Sequence, residues 1–265
     1  MLRKLLKYDY KANMFYFLLM YGVLMGIAVL ARVSIAMADA RYFDFDDQHV
    51  LSIMTVAGSS VLYLLACGAV MVLTFLLVAM RFYKNLMGPE GYLSFTLPVS
   101  EGAHLASKMI SGVTFVFLSS LVIFASASVV TAGVGLWDEL AVSFLWSVFR
   151  ALRMDQLLIT LLYLLEGIVT VVEAVAVIYV SICIGQLAVK HRVLGAIGIF
   201  LAIYLVIGII TTLGSVIFIK LLEGQEGTVV YYGVTSAVTI LFRSLVAAGS
   251  LAGSLLLMKW KLNLE

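Results

Sequence analysis

The chain has 265 residues, 63% of them hydrophobic and 12% charged, with a mean hydropathy of +1.13; soluble domains carry roughly 45–50% apolar and 25% charged residues, so a water-soluble fold is excluded and lipid is the solvent. The net charge of +2 is too small, and its lysines and arginines too scattered, to suggest a nucleic-acid partner. Cys67 and Cys183 both fall inside apolar runs, where cysteine behaves as a small hydrophobe and signals neither disulfide nor metal.

Taken in chain order, residues 1–12 set Leu2, Leu5, Leu6 and Tyr8 among Arg3, Lys4, Lys7 and Lys11, a pattern that suits a short interfacial helix in the headgroup layer as well as a plain basic tail. The apolar run at 14–36 spans about 23 residues, too long for the roughly 7–15 of a signal-peptide core, so it is expected to stay as the first span despite the Ala36-Met37-Ala38 at its end. Further spans are expected over 53–80, 109–135, 157–184, 193–219 and 236–258. With the N-terminus placed inside, 11 lysines and arginines fall on the cytoplasmic side and 6 on or toward the outside, the sense of the positive-inside rule. Both termini are therefore expected in the cytoplasm. The outer segment 137–156, WDELAVSFLWSVFRALRMDQ, is too polar to span and too apolar for a free loop, and its aromatic and arginine content suits a helix resting at the interface. No repeat, linker or low-complexity tract divides the chain, so residues 1–265 are expected to form a single transmembrane domain.

The connection between the second and third spans, RFYKNLMGPEGYLSFTLPVSEGAHLASK at 81–108, holds both prolines of the chain, Pro89 and Pro98, together with Gly88, Gly91 and Gly102. These residues stop helices, so the second span cannot simply hairpin into the third. One or two short helices are expected there, with Pro89 suited to a first helical turn and Ser100-Glu101 to the start of the helix that continues into the third span. The apolar Tyr92, Leu93, Phe95 and Leu97 then need a cover. A docking partner supplies one, and folding back onto the membrane surface supplies another.

GPEGYLSFTLPVSEGAHLASK resembles the stretch after the second span in type-2 permeases of ATP-binding-cassette (ABC) transporters. VIYVSICIGQLAVKHRVLG, at the junction of the fourth and fifth spans, is similar to the uncharacterised branch of those permeases common in Gram-positive bacteria. Together with the basic N-terminus and the six-span layout, the resemblance covers nearly the whole chain and is carried by the order and spacing of its motifs. It implies an all-α permease of the bacterial plasma membrane. A cytoplasmic coupling helix between spans two and three, with Glu90, Gly91, Tyr92 and Leu93 on or beside it, would dock on a separate ABC ATPase. Two ATPase copies, a second permease copy or paralogue and surrounding lipid are the implied partners. No G-x-x-x-x-G-K-[ST] phosphate loop occurs in the sequence. ATP and Mg2+ are accordingly expected in the ATPase subunit, with no cofactor or metal in this chain.

Two other chemistries compete. An intramembrane protease would need a base beside its serine within the membrane, whereas His49, His104 and His191 all fall in loops or at membrane edges and lack metal-ligand spacing. A proton- or ion-coupled secondary transporter would use Glu166 and Glu173 of the fourth span, but no proline interrupts any span as in many such folds. Glu166 and Glu173 lie seven residues apart, on one helix face and roughly 10 Å apart along the axis, joined by Tyr163 and Thr170. Two intramembrane carboxylates cost about 5–7 kcal/mol on insertion scales, so this face is expected to turn away from lipid. It would either line a pathway or bury protonated or ion-paired groups. Counting residues from the expected outer ends of spans four and six puts Arg243 level with Glu166, to within about 3 Å. A structural Glu166–Arg243 pair is therefore expected, in the same or a partner subunit, leaving Glu173 as the pathway carboxylate.

Overall fold

The computed structural model describes residues 2–41, 48–88, 100–131, 154–187, 191–221 and 229–260, and among these the regular elements are all helical. Six long helices follow in order: α1 Leu2–Arg41, α2 Gln48–Phe82, α3 Glu101–Thr131, α4 Met154–Gly185, α5 Arg192–Leu221 and α6 Val229–Trp260. Each contains a stretch long and apolar enough to cross a membrane. The six-helix, all-α expectation holds because hydrocarbon offers no partner to backbone N–H and C=O groups, which a helix satisfies internally.

The helix ends follow local chemistry. α1 is 40 residues long and passes from Leu2 into the first span without a break. α2 runs on through one π-helical turn, Tyr83–Met87, in which Leu86 and Met87 are buried. The chain then meets Gly88 and Pro89, residues that disfavour continuation. α3 starts at Glu101, where Ser100-Glu101 is expected to begin the helix that continues into the third span. The Ser100 carbonyl accepts the N–H groups of Ala103 (2.9 Å) and His104 (3.2 Å), and Glu101 in the first turn complements the helix dipole. The expected coupling segment, with Glu90, Gly91, Tyr92 and Leu93, and the interfacial segment up to residue 153 lie outside the described residues.

The chain divides into two compact units, to both of which α1, α2 and α3 contribute. The first holds residues 7–77 and α3 from Thr114 onward. Its core takes Phe17, Met20, Leu24, Ala28 and Ala31 from α1, Tyr63 and Val70 from α2, and Phe115 from α3. The α1 spacings of three and four place these residues along one stripe of the helix. Phe17 stacks on Phe115 with centroids 4.2 Å apart. Hydroxyl groups share the seams: Ser119 bonds to both Tyr21 and Thr74 at 2.8 Å, Tyr63 to Ser126 at 3.0 Å, and Ser34 to Ser59 at 2.6 Å. These bonds distinguish the inner face from the outer one, which is equally apolar but meets lipid.

The second unit holds residues up to Leu6, then 78–113, and the chain from α4 onward. α4 is its hub, buried without interruption from Glu173 to Cys183. Phe82 stacks on Tyr179 at 4.0 Å, and the Tyr179 hydroxyl donates to the Lys108 carbonyl at 2.9 Å. Gly112 makes this approach possible, since a Cβ there would lie 2.9 Å from that hydroxyl and 3.2 Å from Val175. Gly185 fixes the α4–α5 corner, where a Cβ would fall 2.6–2.7 Å from Ala196, backbone included. Small residues here set how closely the helices approach.

The hydroxyl seam gives a measurable expectation for the first unit. Ser119→Ala removes two cross-helix bonds and should lower stability in detergent by about 1 kcal/mol, membrane hydrogen bonds averaging roughly 0.6 kcal/mol each. Ser120→Ala should change it little, because among the described residues Ser120 bonds only to the Val116 carbonyl of its own helix. Equal melting temperatures for the two variants would refute this account of the packing.

Candidate functional site

The polar groups of α4 lie along one seam, yet their surroundings change steeply along it. Tyr163 is 49% exposed, Glu166 and Thr170 are half-buried, and Glu173 is 1% exposed. The first half of α4 presents Leu158, Leu161, Leu164, Leu165 and Ile168 outward, whereas its second half is enclosed. Thr170 donates to the Glu166 carbonyl one turn earlier, at 2.8 Å. It thus satisfies its hydroxyl within its own helix.

Glu173 has the cation. Arg243 of α6 donates from Nη1 to Glu173 Oε2 at 2.7 Å, so the expected Glu166–Arg243 pair is corrected by one heptad. The physical reason is register. α4 and α6 run side by side in the same direction, with Arg243 facing Glu173, 70 residues earlier, and Gly253 facing Val180. A depth estimate from the expected span ends, 157 and 236, offsets the helices by too much. Packing of the small Gly253 against Val180, where an added Cβ would sit at 3.3 Å, sets the register in its place. Glu166 then falls level with the neighbourhood of Ser236, on the half of α4 that is not enclosed. The second correction concerns Glu173 itself, expected to lack a matching cation and found ion-paired.

The pair is only half made. Among the described residues, Glu173 Oε1 and Arg243 Nε are both buried without a hydrogen-bond partner, and so is Ser236 Oγ, two turns before Arg243 on α6. A two-pronged guanidinium–carboxylate contact would satisfy both orphan atoms of the pair; the single bond leaves one acceptor and one donor open. The middle of a span is where such open valences are most costly, and intramembrane charges accordingly mark pathways or switches more often than stability elements. Tyr204 of α5 completes the setting, lying within electrostatic reach of both Glu173 and Arg243. Three helices thus converge on one polar centre. Among the described residues, no group of three or more His, Cys, Asp or Glu side chains comes together as a metal site.

Sequence reasoning named Glu166, Thr170, Glu173 and Arg243 but paired them wrongly, and it missed Tyr204 and Ser236. The available signal for Tyr204 was a lone phenol in the middle of the most apolar span. It is weak in a chain with 13 tyrosines. Ser236 could have been found from its heptad spacing to Arg243.

Comparison with protein-family models, with curated proteins and with solved structures finds no match to this chain.

The corrected pairing is tested by a double-mutant cycle. Arg243→Gln should lower stability in detergent by about 3–5 kcal/mol, since it strands the buried Glu173 carboxylate, and Glu173→Gln should cost less, since the Arg243 it strands keeps 26% exposure. The double variant should lose clearly less than the sum, because it strands none. Glu166→Gln should cost no more than about 0.5 kcal/mol, as expected where no buried partner is lost. Additive losses at Glu173 and Arg243 would disprove the coupling.

Proposed function

We propose that this chain is the membrane-spanning permease subunit of an ATP-driven exporter of the ABC class, acting as a homodimer or heterodimer with two ATPase subunits. The observation that carries the reading is where its resemblance-bearing segment falls. GPEGYLSFTLPVSEGAHLASK, residues 88–108, starts directly after the π-helical turn that follows α2 and runs into the first turns of α3, within a chain of six membrane-length helices. An apolar segment tethered between two spans can transmit a rigid-body movement of a docked subunit to both. Glu90, Gly91, Tyr92 and Leu93 form the docking element in this proposal, and ATP with Mg2+ is bound and hydrolysed in the partner. The polar centre at Glu173, Arg243 and Tyr204 supports a transport role, since a purely structural six-helix anchor has no need of an incompletely satisfied ion pair at mid-span. The first turns of α1 lie in the inner headgroup layer, both termini face the cytoplasm, and the membrane is the bacterial plasma membrane. Hydrophobic, lipid-like or peptide cargo suits a pathway with so few charges.

The same centre favours a second reading on one observation: a carboxylate with an open oxygen is also what a proton-coupled secondary transporter requires. The two readings part at the ATPase. An affinity-tagged chain purified from bacterial membranes should bring down an ABC ATPase, identified by mass spectrometry, and show ATP hydrolysis. Tyr92→Asp with Leu93→Asp should abolish both while leaving membrane insertion intact. Purification of a folded, ATPase-free chain that transports on a proton gradient would decide for the second reading.

Topology is tested separately, in a background lacking Cys67 and Cys183. A cysteine at Asp46 should react with an impermeant thiol reagent added to intact cells, and one at Gly102 should react only after permeabilisation. The reverse pattern would invert the orientation.

A further inference from the structure

Arg243 combines two properties that are hard to reconcile in a simple helical bundle. It lies on the inward stripe of α6 with the buried Ser236, Ala247, Ser254 and Met258. At 100° per residue this stripe is about 160° from the outward Leu241 and Leu245, two positions away on either side. Leu241 and Leu245 are 63% and 71% exposed, as side chains facing lipid should be. Arg243 points the other way, and yet its side chain keeps 26% exposure. α5 packs on α4 but scarcely touches α6. Where α5 and α6 fail to meet, Arg243 on α6 stays partly exposed, and Tyr204 on α5, 36% exposed, lies within electrostatic reach of it.

The exposed side of Arg243 has a definite chemistry. Glu173 is 1% exposed and lies behind the guanidinium, so an incoming molecule does not meet the carboxylate. It meets the partly exposed guanidinium, whose Nη1 donates to Glu173 and whose Nε is buried, so that Nη2 is the further donor group, with Tyr204 within electrostatic reach. A guanidinium presents five donors and no acceptor, and it matches oxyanions of carboxylate or phosphate geometry. Hydrocarbon tails cannot satisfy such donors, so a partly exposed guanidinium at mid-span calls for an oxygen-rich group. The remaining walls are the Leu-, Ile- and Val-rich faces of α5 and α6, which suit an alkyl chain and not a free hydrophilic anion.

We propose that the crevice between α5 and α6 binds the anionic head group of an amphiphile, with Arg243 as the recognising cation, Tyr204 as a second hydrogen-bonding group and Glu173 as the positioning residue that holds the guanidinium in place. The inference deepens the permease reading by naming its cargo class and rests on it for the role in transport. Binding itself is a property of this chain alone, so it can fail while the ATPase pairing stands, and the reverse.

The test uses the purified full-length chain in an uncharged maltoside detergent and follows its melting temperature. Lysophosphatidylglycerol should raise the melting temperature by several degrees in a saturable manner, as a ligand that binds only the folded state does. Lysophosphatidylcholine, of similar chain length but zwitterionic, should not. Inorganic phosphate should not either; a saturable rise with phosphate alone would place a free anion in the crevice and overturn the amphiphile assignment. The rise should vanish in the Glu173→Gln/Arg243→Gln double variant, which removes the cation without stranding a charge. In Arg243→Lys, which retains the ion pair but loses the planar fork, the midpoint should move several-fold to higher amphiphile concentration. Arg32→Gln, a change in the other compact unit, should leave the response intact. An undiminished rise in both Arg243 variants, or an equal rise with lysophosphatidylcholine, would show that the amphiphile acts elsewhere and would overturn the proposal.

Discussion

An apolar side chain in a bilayer gains little by turning from lipid to a neighbouring helix, because both are hydrocarbon. What distinguishes one helix face from another is therefore polar contact and close approach, and every inner seam here carries one or both. In the unit built on residues 7–77, Tyr21, Thr74 and Ser119 bond to one another, and Tyr63 reaches Ser126. Around α4, Gly112 admits the Tyr179 hydroxyl and Gly253 admits Val180. The ion pair between Glu173 and Arg243 is the extreme case of the same rule, a contact with no acceptable alternative in lipid. It marks which face of α6 meets α4, at the height that the contact of Gly253 with Val180 sets.

This constraint also explains what was legible in the chain and what was not. Six spans and an all-α fold could be read directly, since run length and hydropathy respond to membrane thickness, a property of the solvent. The start of α3 beside Ser100 and the end of α2 before Pro89 were legible in outline because they depend on local capping and breaking chemistry. Which face of each helix turns inward was hardly legible. Phe17, Met20, Leu24, Ala28 and Ala31 form a clean stripe in the structure, but Leu18, Leu19, Val23 and Leu30 beside them are just as apolar and lie exposed. Hydrophobic periodicity carries no signal when the solvent is itself apolar.

The candidate site shows the same division. Glu166, Glu173 and Arg243 stood out because charge is rare in a span, so the composition of the site was readable. Its geometry was not. Pairing by depth assumed that helices align by their ends, whereas parallel α4 and α6 align where Gly253 lets Val180 in. That contact involves no charge and no motif, and it moved the partner of Arg243 by seven residues. Tyr204 was invisible for a related reason: a phenol matters only when two charges stand near it, and that nearness is a property of the packed bundle.

The incompleteness of the ion pair links stability to function. A pair kept only for stability would be expected to close into a two-pronged contact, since leaving Glu173 Oε1 and Arg243 Nε open forfeits favourable interaction for no structural return. A site that must release one arrangement and adopt another cannot be fully satisfied in either without becoming too stable to leave. Open valences at Glu173 and Arg243 keep the α4–α6 contact specific in register and leave it short of maximal strength. A permease driven by a separate motor needs such a contact: firm enough to define the resting state, and weak enough that movement delivered from outside the membrane can displace it.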